Sequence, residues 1–216
     1  MNKSSKTLEL VQIALFTAII VIMAFTPFLG YIDLVVLPIR ITIIHIPVIL
    51  GSLLLGPKKG AILGFVFGLT SLINNTMNPT ITSFVFSPFL SGNILSLLIC
   101  FLPRILVGVV PYYVYNVISK ILKNKGNTAS LVAAGLAGSY TNTLLVMNFI
   151  YFFFGNSYAE ATGKAPELLY NFILFTVTVN GTFEAIGAAI LTLAVGKVLI
   201  KLKFGSSAIV NKNQIA

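Results

Sequence analysis

Charge is what this sequence has least of. Only 9% of its residues are charged, five of them acidic, while 57% are hydrophobic and the mean hydropathy is +0.99. A soluble domain of that composition would expose far too much hydrocarbon, so the chain reads as an integral membrane protein. Cysteine is nearly missing: the single Cys100 lies in an apolar run, which excludes a disulfide framework and a Cys-rich metal site. Histidine is equally scarce. With His45 alone, a metal site would have to draw on scattered carboxylates, and none is assigned. Motifs that carry chemistry are missing too. There is no G-x-x-x-x-G-K-[ST], so the chain cannot hydrolyse ATP through a phosphate-binding loop. Nothing resembles a nucleophile elbow or a zinc-protease helix, and no catalytic residue is nominated. No cleavable signal peptide is expected, because the first apolar run is long enough to span and lacks a small-residue cleavage site after it.

What the sequence does have is long apolar runs with lysines between them. Spanning a hydrocarbon core takes about 20 apolar residues. Six segments qualify, some interrupted: 8–25, 40–55, 60–73, 99–119, 129–153 and 169–200. The second and third are short and joined by Gly56-Pro57-Lys58-Lys59-Gly60, whose glycines and proline mark a hairpin. The net charge of +9 follows from lysines in these connections and does not imply a nucleic-acid partner. Lys3 and Lys6, then Lys58 and Lys59, then Lys120, Lys123 and Lys125, then Lys197, Lys201 and Lys203 fall on one side if there are six spans. The opposite loops carry Asp33, Glu160, Lys164 and Glu167, without a cationic excess. By the positive-inside rule both termini are cytoplasmic. The expected fold is therefore all-α, a six-helix membrane bundle over residues 1–204 with a short polar tail over 205–216.

The third outer loop departs from this pattern. From Asn74 to Arg104 the chain is polar, broken by proline and rich in Asn, Ser and Thr, between very apolar neighbours. A stretch of that length without periodicity usually has a function. Asn74, Asn75 and Asn78 offer donors and acceptors, and Phe84, Phe86 and Phe89 can fold onto something apolar, so the loop is expected to be a lid. In the third helix Gly60, Gly64 and Gly68 form a double G-x-x-x-G, best explained by close packing inside the bundle. The first helix carries a smaller signal of this kind, Ala14-x-x-x-Ala18.

Beneath the lid lies a belt of polar groups. Counting back from the cytoplasmic lysines at about 1.5 Å per residue places Arg104, Asn180, Glu184, Asn142, Asn148, Arg40 and His45 in the outer half of the membrane. Asn180 and Glu184 are four apart and share a helix face, which Gly187 extends. A charge at the bilayer centre costs about 2.5–3.5 kcal/mol, so such residues face inward and pair. Arg104 and Glu184 are opposite in sign and similar in depth, which allows an ion pair. Arg104 also stands where an anionic ligand would meet it. His45 alone fits a histidine satisfied within the bundle.

Taken together, these features resemble the substrate-binding S component of an energy-coupling factor vitamin transporter, over nearly the whole chain. The stretch from Arg40 through Gly68, followed by Thr82-Ser83-Phe84 and Pro103-Arg104, is similar to the pantothenate-specific branch. The resemblance implies a non-catalytic subunit in a prokaryotic cell membrane. It implies that Ala14 and Ala18 dock onto a membrane T component that carries two ATPases, which bind ATP and Mg so that this chain needs no cofactor. It also implies delivery by toppling within the bilayer. The expected substrate-binding residues are Arg104, Asn142, Asn148, Asn180, Glu184, Arg40, His45, Asn75 and Phe84. Pantothenate suits them, with its carboxylate, amide and two hydroxyls on a branched apolar frame. The lack of Trp mildly disfavours flat aromatic vitamins. Two alternatives stay open: another vitamin or precursor such as folate or hydroxymethylpyrimidine, or a self-sufficient secondary carrier coupled through Arg104 and Glu184.

Overall fold

The computed structural model describes residues 3–32, 41–123, 128–202 and 204. Arg40, Asp33, Lys125, Lys203 and the tail 205–216 lie outside the described residues. Among the described residues eight α-helices carry the fold: α1 (Lys3–Phe25), α2 (His45–Leu55), α3 (Pro57–Met77), α4 (Pro88–Ser91), α5 (Leu95–Val107), α6 (Val110–Ile121), α7 (Thr128–Thr162) and α8 (Leu169–Lys201). Among the described residues, five helices are long and apolar enough to cross a membrane: Lys6–Phe25, Pro57–Met77, Leu95–Ile121, Thr128–Thr162 and Pro166–Lys201.

The second expected span differs. α2 has 11 residues, so it is only about 17 Å long, well short of a hydrocarbon core of about 30 Å. Every one of its residues is buried, so it is wrapped by its neighbours rather than facing lipid. The all-α expectation has one local exception as well. Two-residue strands β1 (Tyr31–Ile32) and β2 (Ile41–Thr42) pair antiparallel, Tyr31 opposite Thr42. This hairpin carries the chain from α1 into the short α2.

Helix α3 packs against α5, α2 and α1, while α7 packs against α8, α6 and α5. The triple-glycine stripe of α3 faces inward, as its spacing suggests. A Cβ on Gly60 would collide with the carbonyl of Gly108, one on Gly64 with the carbonyl of Arg104, and one on Gly68 with the Phe101 ring. The stripe thus brings the backbones of α3 and α5 together. One apolar cluster, including Phe16, Ile20, Leu53, Leu54, Phe67 and Leu131, fills the bundle on the α2 side. A second, including Val85, Ile99, Met147, Ile150, Tyr158 and Ile173, lies under the loop between α3 and α5.

That loop is shorter and more ordered than the sequence suggests. Asn74 and Asn75 belong to α3, which runs on to Met77. After it come a 3-10 turn, Ser83–Phe86, and the single turn of α4. Hydroxyls supply the local order that periodicity could not reveal. The Ser83 hydroxyl donates to Asn75 Oδ1 at 2.8 Å, Thr76 and Ser87 share a hydrogen bond at 2.8 Å, and Ser96 donates to the Phe84 carbonyl at 3.2 Å.

Candidate functional site

Proline 103 lies inside α5, where it has no N–H to give the carbonyl four residues back, that of Ile99. The neighbouring Arg104 fills this vacancy: its Nη1 donates to the Ile99 carbonyl at 2.7 Å. The Pro-Arg dipeptide thereby folds a guanidinium back along its own helix at a buried position. Arg104 is 4% exposed, with its charged carbon 5.5 Å from the centre of the Phe67 ring and 5.1 Å from that of Phe86. Its Nε has no hydrogen-bond partner among the described residues.

Arg104 opens onto a cavity of about 70 Å³. Six parts of the fold line it, α5 through Arg104 itself. The hairpin supplies Tyr31 and Thr42, and α3 supplies Ser71 and Asn75. Thr80, Thr82 and Phe86 come from the loop. Along α7, Asn142, Thr143, Val146, Met147 and Ile150 keep one helix face toward the cavity, and Thr176, Asn180 and Glu184 do so along α8 at intervals of four. Tyr158 completes the lining.

Several polar atoms on residues of this wall have no hydrogen-bond partner among the described residues. They are Arg104 Nε, Asn142 Oδ1, Asn180 Nδ2 and the Tyr158 hydroxyl, all on buried residues. Leaving a buried polar group unpaired costs about 1–3 kcal/mol. A cluster of them around one cavity is therefore a set of hydrogen bonds awaiting a polar occupant. Chemically it offers one cation, amide donors and acceptors, a phenol, and the apolar faces of Val146, Met147 and Ile150.

The expected Arg104–Glu184 pair does not form. Glu184 Oε1 accepts from the Thr42 amide at 2.8 Å, and its Oε2 accepts from the Thr143 hydroxyl at 3.0 Å. Glu184 thus ties the hairpin to α7 and α8, while Arg104 turns to Ile99 and the two rings. Among the described residues Arg104 has no salt bridge.

Of the other expected residues, Asn75, Asn142 and Asn180 reach the cavity. Asn75 is also the pin of the loop, since it bonds Ser71 and Ser83 together. Asn148 does not reach it. Its side chain is half-buried and donates back to the Leu144 carbonyl at 2.7 Å, because its position on α7 is turned away from the lining face. His45 is fully buried at the start of α2 and does not line the cavity. Phe84 is replaced in its expected role by Phe86: Phe84 packs edge-on against Phe154, with ring centres 6.0 Å apart, and Phe89 is 79% exposed. Gly187 has open space around it and no place in the lining. Ala14 and Ala18 are exposed on α1, on the same ridge as the exposed Leu10 and Ile22. The Lys59–Glu9 ion pair, at 2.5 Å, ties the start of that helix to the α2–α3 turn.

Sequence reasoning missed Tyr31, Thr42, Thr143, Tyr158 and Thr176. Thr176 was accessible by stepping back four residues from Asn180. The hairpin residues gave no signal. Ordering of the loop over the cavity is expected to depend on ligand: backbone amides from Ser83 to Ser87 should exchange more slowly with ligand bound. Equal protection with and without ligand removes the loop from the binding step.

Residues 8–196 match the family model described as "ECF transporter, substrate-specific component". The chain is 38% identical over 211 residues to the pantothenic acid transporter PanT of Lactococcus lactis subsp. cremoris, covering 94% of this chain and all of that one. It is 32% identical over 206 residues to the pantothenate transporter PanT of Leuconostoc mesenteroides subsp. mesenteroides, covering 92% and 95%. Among solved structures, the crystal structure of the S component for biotin from an ECF-type ABC transporter aligns with a TM-score of 0.56 at 20% identity. That alignment covers 91% of this chain and 95% of the other, a likeness of fold.

Proposed function

Because the chain belongs to the substrate-specific components of ECF transporters, a family of non-catalytic binding subunits, we propose that it captures pantothenate from outside a bacterial cell. The pocket opens outward, both termini are cytoplasmic, and inward delivery is by toppling within the bilayer. The observation that carries the ligand is Arg104, a buried cation without a salt-bridge partner among the described residues, beside unpartnered amides and an apolar wall. A carboxylate on such a group gains a charge-assisted bond strengthened by the low local dielectric. The amide and hydroxyls of pantothenate suit Asn142 and Asn180, and its methyl groups suit Val146, Met147 and Ile150. Both relatives named above are pantothenate transporters, which supports the same ligand. The secondary-carrier alternative loses its motivating feature, since Glu184 is engaged by Thr42 and Thr143.

Energy for uptake comes in this reading from a T component and two ATPases, with ATP and Mg bound there. The exposed Leu10, Ala14, Ala18 and Ile22 ridge of α1 is the docking surface, flat enough at its two alanines for a second helix to approach closely. Ala14→Trp is expected to abolish uptake in cells while calorimetry on the isolated subunit shows unchanged pantothenate affinity. Co-purification of the wild type with a T component and two ATPases tests the assembly directly. Normal assembly and transport by the Ala14→Trp protein removes the docking assignment, and failure of the purified wild type to bind pantothenate removes the ligand.

A further inference from the structure

Near its end α7 breaks. Phe154 has φ −133° and ψ 16°, outside the helical range, so the last turns from Gly155 to Thr162 take a new direction. Tyr158 lies on these turns and lines the cavity together with Ile150, two turns before it. It is 0% exposed, and its hydroxyl has no partner among the described residues. The ring packs in the cluster formed by Ile150, Phe154, Leu169 and Ile173. A phenol set in hydrocarbon, on a residue that lines a cavity and with its hydroxyl unpartnered among the described residues, is costly unless an occupant completes it. The polar amides at the wall stand differently, since Asn142 is next to Thr143 and Asn180 is one turn from Glu184.

We infer that Tyr158 is a specificity-determining residue that hydrogen-bonds a hydroxyl carried on a branched, apolar end of the ligand. This rests on the pantothenate reading and sets the direction of the ligand in the cavity. Pantothenate carries two hydroxyls. One adjoins the amide and fits the amide-rich part of the wall. The other is the primary hydroxyl of a CH₂OH group borne by the carbon that carries both methyl groups. Only the second must be met by a polar atom surrounded by apolar side chains, which is the setting of Tyr158. With Arg104 on the carboxylate, the dimethyl carbon lies against Ile150 and Met147 and the terminal hydroxyl reaches Tyr158.

The test is calorimetric titration of two ligands into wild type and Tyr158→Phe. One ligand is pantothenate and the other its analogue with the terminal CH₂OH replaced by CH₃. Tyr158→Phe removes one oxygen and leaves the ring in place. It is expected to lower pantothenate affinity about tenfold, the effect of one hydrogen bond to a buried group. The analogue is expected to bind both proteins alike. Without ligand, the variant should melt at or above the wild-type temperature, since the lost hydroxyl has no partner among the described residues. An unchanged pantothenate affinity overturns the assignment, as does an equal loss for both ligands. A lower melting temperature without ligand makes the hydroxyl structural and also overturns it. If wild type binds the analogue but not pantothenate, or binds neither, the failure lies in the ligand reading itself and the assignment falls with it.

Discussion

Replacing Arg104 with Ala is expected to weaken pantothenate binding by about 2–5 kcal/mol, the usual cost of removing one partner of a buried, hydrogen-bonded charge pair. The effect should be large because Arg104 is 4% exposed and its guanidinium lies close to the Phe67 and Phe86 rings, where water screens little. The same substitution strips the Ile99 carbonyl of the side-chain donor that Arg104 supplies, and Pro103 prevents the helix from replacing it. Some loss of stability, about 1–3 kcal/mol, should therefore accompany the loss of affinity. Two controls separate these effects. Arg104→Lys keeps a charge and a donor but lacks the planar fork, and should recover only part of the affinity. Pantothenol, in which an alcohol stands for the carboxylate, should bind wild type poorly and be much less sensitive to Arg104→Ala. Titration of both ligands against all three proteins reads the outcome. Pantothenol binding as tightly as pantothenate, or Arg104→Ala binding pantothenate unchanged, takes the carboxylate away from Arg104.

The second large effect is expected at Gly64, far from any polar chemistry. A Cβ there would collide with the Arg104 carbonyl, which is backbone and cannot swing aside. Gly64→Leu must push α3 away from α5, and overpacking of this kind costs about 1–3 kcal/mol, more where backbone is involved. Affinity should fall along with stability, because the helix displaced is the one that presents Arg104. Even Gly64→Ala should lower the melting temperature measurably. Gly187→Ala is the contrast. Nothing lies within 4 Å of its added Cβ, so it should be neutral or gain up to about 1 kcal/mol of helix propensity. Thermal melting of the three proteins in detergent, with and without pantothenate, is the measurement. If Gly64→Ala melts with wild type, the close approach of α3 to α5 is not what holds Arg104 in place.

The sequence alone determined the class of molecule and much of the bundle. Scarcity of charge and long apolar runs leave little choice, because hydrocarbon solvates helices and almost nothing else. The stripe Gly60, Gly64 and Gly68 showed that a helix backbone comes close, and period-four spacing put Asn180 and Glu184 on one face. Arg104, Asn142, Asn180 and Asn75 were legible as lining groups because polar residues in an apolar run must face inward.

Only the tertiary structure decided which polar groups satisfy one another. Charge and depth paired Arg104 with Glu184, but hydrogen bonding is directional. A backbone amide on a two-residue strand and a threonine on α7 took the carboxylate instead, partners separated from it by 142 and 41 positions in the chain. Depth also could not tell Asn142 from Asn148, since six residues along a helix turn the side chain to another face. The loop looked irregular because its order comes from serine and threonine hydroxyls reaching across turns, and such bonds leave no period. Tyr158 was hidden for a similar reason: it lies beyond a backbone break at Phe154, next to Gly155, so counting along a regular helix does not bring it to the lining face.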